Sequence, residues 1–160
     1  MNEIVILVLC SGNIGRSPLA EVFIKDGLAR RLGVSIADLP GSGVAVISAG
    51  TDAPEGHPAS SRGIAFAAER GLDLSSHTAT RLTATEIRLS DRILAMDLTQ
   101  VAAVAELVPE AAVKTELLAG EGHEIPDPHH GSDEFFYDVA DQVERAVAAR
   151  LDGLVALIQA

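Results

Sequence analysis

The stretch "IVILVLCSGNIGRSPLAEVF" (residues 4–23) decides the fold. Residues 4–9 form an apolar, β-branched-rich run without polar alternation, the mark of a strand covered on both faces in a parallel sheet. From Ser17 the pattern changes. Pro18 suits the first position of a helix, Ser17 suits its N-cap, and Leu19, Val22 and Phe23 recur at helical spacing. In parallel α/β sheets, ligands bind beyond the carboxyl ends of the strands, often at the N-terminus of the following helix. Cys10, the only cysteine in the chain, stands at that end.

The rest of the chain continues the alternation. The first helix is expected to end near Gly33, followed by a loop over 37–43 and a second strand over 44–50. A helix over 59–71 is stopped by Gly71, and residues 93–96 read as a third strand ending at Asp97. A short helix spans Leu98–Leu107, and a fourth strand is expected over 113–118. Phe136, Val139, Ala140, Val143, Val147, Leu151, Leu154, Val155 and Ile158 mark one face of a long last helix. Alternating strands and helices imply an α/β fold: a doubly wound parallel sheet of about four strands flanked by helices, its binding loop between strand 1 and helix 1. Residues 1–160 read as a single domain, without repeats or an interdomain linker.

Bulk properties narrow the function. Of 160 residues, 48% are apolar and 22% charged, an ordinary globular composition. The formal net charge of −11 repels nucleic-acid backbones and anionic membranes, so neither is expected as a partner. One cysteine forms no internal disulfide, which fits a reducing cytoplasm. The apolar run at the N-terminus lacks a basic segment before it and is too short to span a bilayer.

Five residues separate Cys10 from Arg16, with Ser17 next, giving C-x5-R-S. Residues 11–15 (Ser11, Gly12, Asn13, Ile14 and Gly15) suffice to wrap a loop whose backbone N–H groups converge on one anion, with the helix dipole adding positive potential. Gly12 and Gly15 permit unusual backbone angles, and Asn13 tolerates left-handed φ. Arg16 offers a planar fork to two phosphate oxygens. A thiolate beneath a phosphoryl group is set for in-line attack at phosphorus, and Ser17 is placed to hydrogen-bond the departing sulfur. The leaving oxygen then needs a proton. Asp127, held between Pro126 and Pro128, is the candidate donor and later the base for a hydrolytic water.

These segments also carry a resemblance. "VLCSGNIGRSPLAE", "SAGT" (48–51), "GLDLSSHTATRLT" (71–83), "ILAMD" (93–97) and "IPDPHHGSDEFFYDV" (125–139) resemble, in order, the signatures of the low-molecular-weight protein tyrosine phosphatases. The resemblance implies Cys10 as nucleophile, Arg16 as phosphate clamp, Ser17 as partner of the thiolate and Asp127 as general acid. It implies that Asn13 organises the loop with help from Ser48, and that His77 pairs with Glu21. It implies a phosphorylated protein or small aryl phosphate as substrate and inorganic phosphate as product, with no metal or organic cofactor. Gly15 stands where most members carry a second loop cysteine, so the disulfide that protects an oxidised nucleophile is lost. Pro54, His129 and His130 occupy positions where members that prefer phosphotyrosine place aromatic walls. Ile14 points back to phosphotyrosine, because the family's arginine phosphatases carry threonine there.

Four alternatives remain at this point. A protein arginine phosphatase would use the same scaffold, and a phosphoprotein-binding module would bind without turnover. A thiol-relay arsenate reductase lacks its further cysteines here. A metal site built from His123, Asp127, His129, His130 and Asp133 lacks zinc-type spacing.

Overall fold

The computed structural model describes residues 3–160. Its sheet holds β1 (Ile4–Cys10), β2 (Val44–Gly50), β3 (Arg92–Ala95) and β4 (Thr115–Leu117), all parallel, in the order β2-β1-β3-β4. Among the described residues five α-helices accompany them: α1 (Arg16–Leu32), α2 (Ser61–Ala68), α3 (Ala84–Leu89), α4 (Leu98–Leu107) and α5 (Asp133–Gln159).

The unbroken apolar run of β1 has a direct structural cause. Ile6, Val8 and Cys10 face a core shared with α1, α2 and α5, whereas Leu7 and Leu9 face a second core with Ile87 of α3 and Val104 of α4. Both faces are dry, so neither tolerates alternation. The marked face of α5 is buried through Phe136, Val139, Ala140, Val143, Val147 and Leu154, while Leu151, Val155 and Ile158 pack partly buried at its edge.

Several elements differ from expectation, β3 by a single residue. Helix α1 starts at Arg16 with Gly15 in the cap position and no side-chain cap, because the Ser17 hydroxyl is turned inward. Pro18 is nonetheless still in the first turn, where its missing N–H costs no intrahelical bond. Helix α2 stops at Ala68, and the chain reaches Gly71 (φ 72°) through a turn. Strand β4 is shorter than 113–118, since Pro109–Lys114 winds as a 3-10 helix that leaves Val113 almost fully exposed. Helix α3 lies in the segment before β3, where no element is expected from the sequence. Its capping box, Thr83 with Glu86, is the T-x-x-E signature of a helix start.

Candidate active site

Strand β1 ends at Cys10 beside Gly50, the last residue of β2. There the chain turns through residues 11–15 into α1, so the carboxyl end of a central strand and the helix start share one loop. Gly50 has no room for a side chain. A Cβ there would sit 2.6 Å from the Ser11 carbonyl oxygen and 2.9 Å from the Asn13 amide nitrogen. Because both are loop backbone, Gly50→Ala is expected to displace the loop. We expect a loss of stability of about 1–3 kcal/mol in a thermal melt and a fall of more than about tenfold in kcat/KM.

Asn13 holds the loop in shape. It takes a left-handed conformation (φ 54°) and is fully buried. Its side-chain nitrogen donates to Ser17 Oγ at 2.8 Å and to Ser48 Oγ at 2.9 Å, and its Oδ1 accepts from the Thr80 amide at 2.9 Å. The Ser48 hydroxyl in turn donates to Glu21 Oε1 at 2.6 Å. Cys10 Sγ lies 3.0 Å from Ser17 Oγ and accepts the Asn13 backbone N–H at 3.2 Å. Since Ser17 Oγ already accepts from Asn13, its hydroxyl proton is free to point at the sulfur.

His77 does not pair with Glu21 as the resemblance implied. Its Nε2 donates to the Asn13 carbonyl at 2.8 Å, while Glu21 accepts from Ser48 and Lys25. The histidine therefore braces the loop directly.

Arg16 is almost completely buried and is aimed by groups far away in the chain. Its Nη1 donates to Asp97 Oδ2 at 3.0 Å and to the Ile125 carbonyl at 2.7 Å. Its Nη2 lies 3.9 Å from Asp127 Oδ2. Partial burial of Asp97 opposes its charge, but hydrogen bonds from Thr99 and Arg16 outweigh this and lower its pKa below the usual carboxylate value. A depressed value means that its support for the fold is present above the unfolded-state carboxylate pKa and is lost as pH falls through the folded one. Gln100 is fully buried nearby. Its Oε1 accepts from the Met96 and Asp97 amides, and its Nε2 donates to Ser11 Oγ at 3.1 Å.

Above Cys10 opens a cleft of about 330 Å³. Cys10, Ser11, Gly12, Ile14, Gly15, Arg16, Pro54, Asp127 and His129 all line it. Asn13, Ser17 and Ser48 sit behind the loop as its support. His130, expected in the wall, does not line the cleft; its ring packs edge-on against His129 at 4.6 Å, because the tight turn at 129–130 gives only the first histidine access. Asp127 is about half exposed, and its Oδ1 accepts the His129 amide at 3.0 Å, which stiffens the turn. The sequence alone does not single out Asp52, Ser60, Arg62 and Phe136 of the cleft, nor Asp97 and Gln100 of the network beside it. Asp97 and Gln100 carried a signal, the D-x-x-Q capping box of α4. Phe136 was read only as core, and nothing local marks Arg62. Among the described residues no three His, Cys, Asp or Glu side chains gather as a metal-holding group.

A lone thiol at a strand end, a tight loop and a buried arginine on a doubly wound sheet define the class of cysteine-based oxyanion-binding enzymes. The comparisons narrow this further. Residues 5–158 match the model of the low molecular weight phosphotyrosine protein phosphatases, and the chain belongs to that family. It is 38% identical over 143 residues to the low molecular weight protein-tyrosine-phosphatase Etp of Escherichia coli K12, covering 88% of each chain. The tyrosine phosphatase Wzb from Escherichia coli K30, solved with sulphate, superposes with a TM-score of 0.79 at 33% identity, over 96% of this chain and 99% of that one. The YwlE arginine phosphatase from Geobacillus stearothermophilus superposes with a TM-score of 0.80 at 29% identity, over 96% and 94%. Among the described residues no helix is long and apolar enough to cross a membrane.

Proposed function

We propose that this protein is a protein-tyrosine phosphatase that hydrolyses phosphomonoesters through a cysteinyl-phosphate. The observation that carries the reading is Cys10 Sγ at the base of the cleft, with hydrogen-bond donors behind it and Arg16 and Asp127 beside it. In the first step the Cys10 thiolate attacks phosphorus, a P–S bond forms and the P–O bond to the leaving group breaks. Asp127 gives its proton to the departing oxygen. In the second step water attacks phosphorus, Asp127 takes the water's proton, and the P–S bond breaks to release phosphate. Ser17 donates to the sulfur as it leaves. Arg16 holds the equatorial oxygens through both steps. The substrate is a phosphorylated protein, and the single thiol suits a reducing cytoplasm.

Asp127→Asn tests the acid directly. We expect kcat to fall by about 10²–10⁴-fold on phenyl or tyrosyl phosphate, and by much less on esters with strongly activated leaving groups. Equal losses on all leaving groups would remove Asp127 from the role.

A second substrate, the phosphoarginyl side chain, is raised by the likeness to the YwlE arginine phosphatase. Release of phosphate from matched phosphotyrosyl and phosphoarginyl peptides separates the two.

A further inference from the structure

The cleft has one wall that the proposed chemistry does not use. Arg62, in the first turn of α2, lines it together with Phe136 from the start of α5. The Arg62 guanidinium carbon lies 4.7 Å from the centroid of the Phe136 ring. Its Nη1 donates to the Gly131 carbonyl at 3.1 Å and to Asp133 Oδ1 at 3.3 Å. Among the described residues neither Nε nor Nη2 has a partner. The ring beneath it adjoins the loop, since a Cβ on Gly15 would meet Phe136 at 3.7 Å. Arg62 is therefore anchored on one side by Phe136 and at one nitrogen by the 131–133 turn, and the rest of its guanidinium remains for the cleft. Asp133 does not cancel its charge, because that carboxylate is 81% exposed and such surface pairs are weak.

We propose that Arg62 is the residue that reads the group attached to the phosphate: its guanidinium stacks on a phosphotyrosyl ring and repels the cationic guanidinium of a phosphoarginyl side chain. The assignment rests on the phosphatase reading above and deepens its substrate class. An arginine packed on an aromatic ring is held in place before substrate arrives, and its planar face attracts the electron-rich face of a second ring. It thus stands in for the aromatic walls that Pro54 and His129 do not supply. A phosphoarginyl group would bring a positive charge to the same wall, and the cleft's carboxylates, Asp52 and Asp127, are too exposed to offset the repulsion strongly.

The test uses the full chain and two peptides of one sequence, phosphorylated on tyrosine or on arginine. kcat/KM is measured on both for wild type, Arg62→Leu and Arg62→Lys, with inhibition by inorganic phosphate as the control for loop integrity. Arg62→Leu is expected to lower the tyrosyl value by about tenfold and to raise the arginyl value, while inhibition by phosphate stays as in wild type. Arg62→Lys keeps the charge but loses the plane, so the tyrosyl value falls and the arginyl value does not rise. An unchanged ratio in Arg62→Leu overturns the proposal. So does a parallel loss on both peptides and in phosphate inhibition, which would make Arg62 only a brace for the turn at 131–133. If the wild type cleaves neither peptide, the phosphatase reading itself fails and the assignment falls with it.

Discussion

Cys10→Ser is expected to lower turnover of p-nitrophenyl phosphate by at least about 10⁴-fold, a loss typical of removing a covalent nucleophile. A serine hydroxyl at this position has no base beside it: its neighbours are the Asn13 amide and the Ser17 hydroxyl, both placed to donate to the sulfur. The same neighbours accept the substitution without strain, because a serine oxygen takes both hydrogen bonds. Binding of inorganic phosphate, measured by calorimetry on the variant, should therefore persist. The assay runs with EDTA, so that adventitious metal contributes nothing. Turnover close to that of wild type would remove Cys10 from the reaction. An inert wild type that binds phosphate would point to a phosphate-binding module on the same scaffold.

Arg16→Lys is expected to be nearly as damaging, with kcat/KM down by about 10³-fold although the charge is unchanged. Nη1 of Arg16 bridges the Asp97 carboxylate and the Ile125 carbonyl, and Nη2 is left for the site. A lysine ammonium is a single point that cannot occupy both positions. It would settle against Asp97 and leave the Ile125 carbonyl and the phosphate oxygens without their fork. KM should rise and kcat should fall, because the fork binds the ground-state phosphate and holds the transition state more strongly still. Thermal stability should fall less than in Gly50→Ala, where backbone must move.

The order of elements was legible in the sequence because each is encoded locally. The β1 run, the Gly33 stop of α1, the bounds of β2 and α4, and the apolar face of α5 all follow from periodicity and capping within a few residues. The motif from Cys10 to Ser17 was legible for the same reason, since loop, clamp and helix are contiguous. Of the two roles the sequence suggests for Ser17, a partner of the Cys10 sulfur and a helix cap, the structure shows the contact with Cys10 and no side-chain cap.

Only the tertiary structure decided what surrounds that motif. The partners of Arg16 lie 81 and 109 residues away, His77 reaches Asn13 across 64, and Gln100 reaches Ser11 across 89. The His77–Glu21 pair was wrong because two elements near each other in space offer several acceptors, and hydrogen-bond geometry selects among them. Arg62 and Phe136 meet because α2 and α5 converge on the loop, a consequence of how two helices pack on one sheet face. Local pattern specifies which residues form a strand, a turn or a helix. Which distant side chains line a shared cleft depends on chain crossings that no local pattern records.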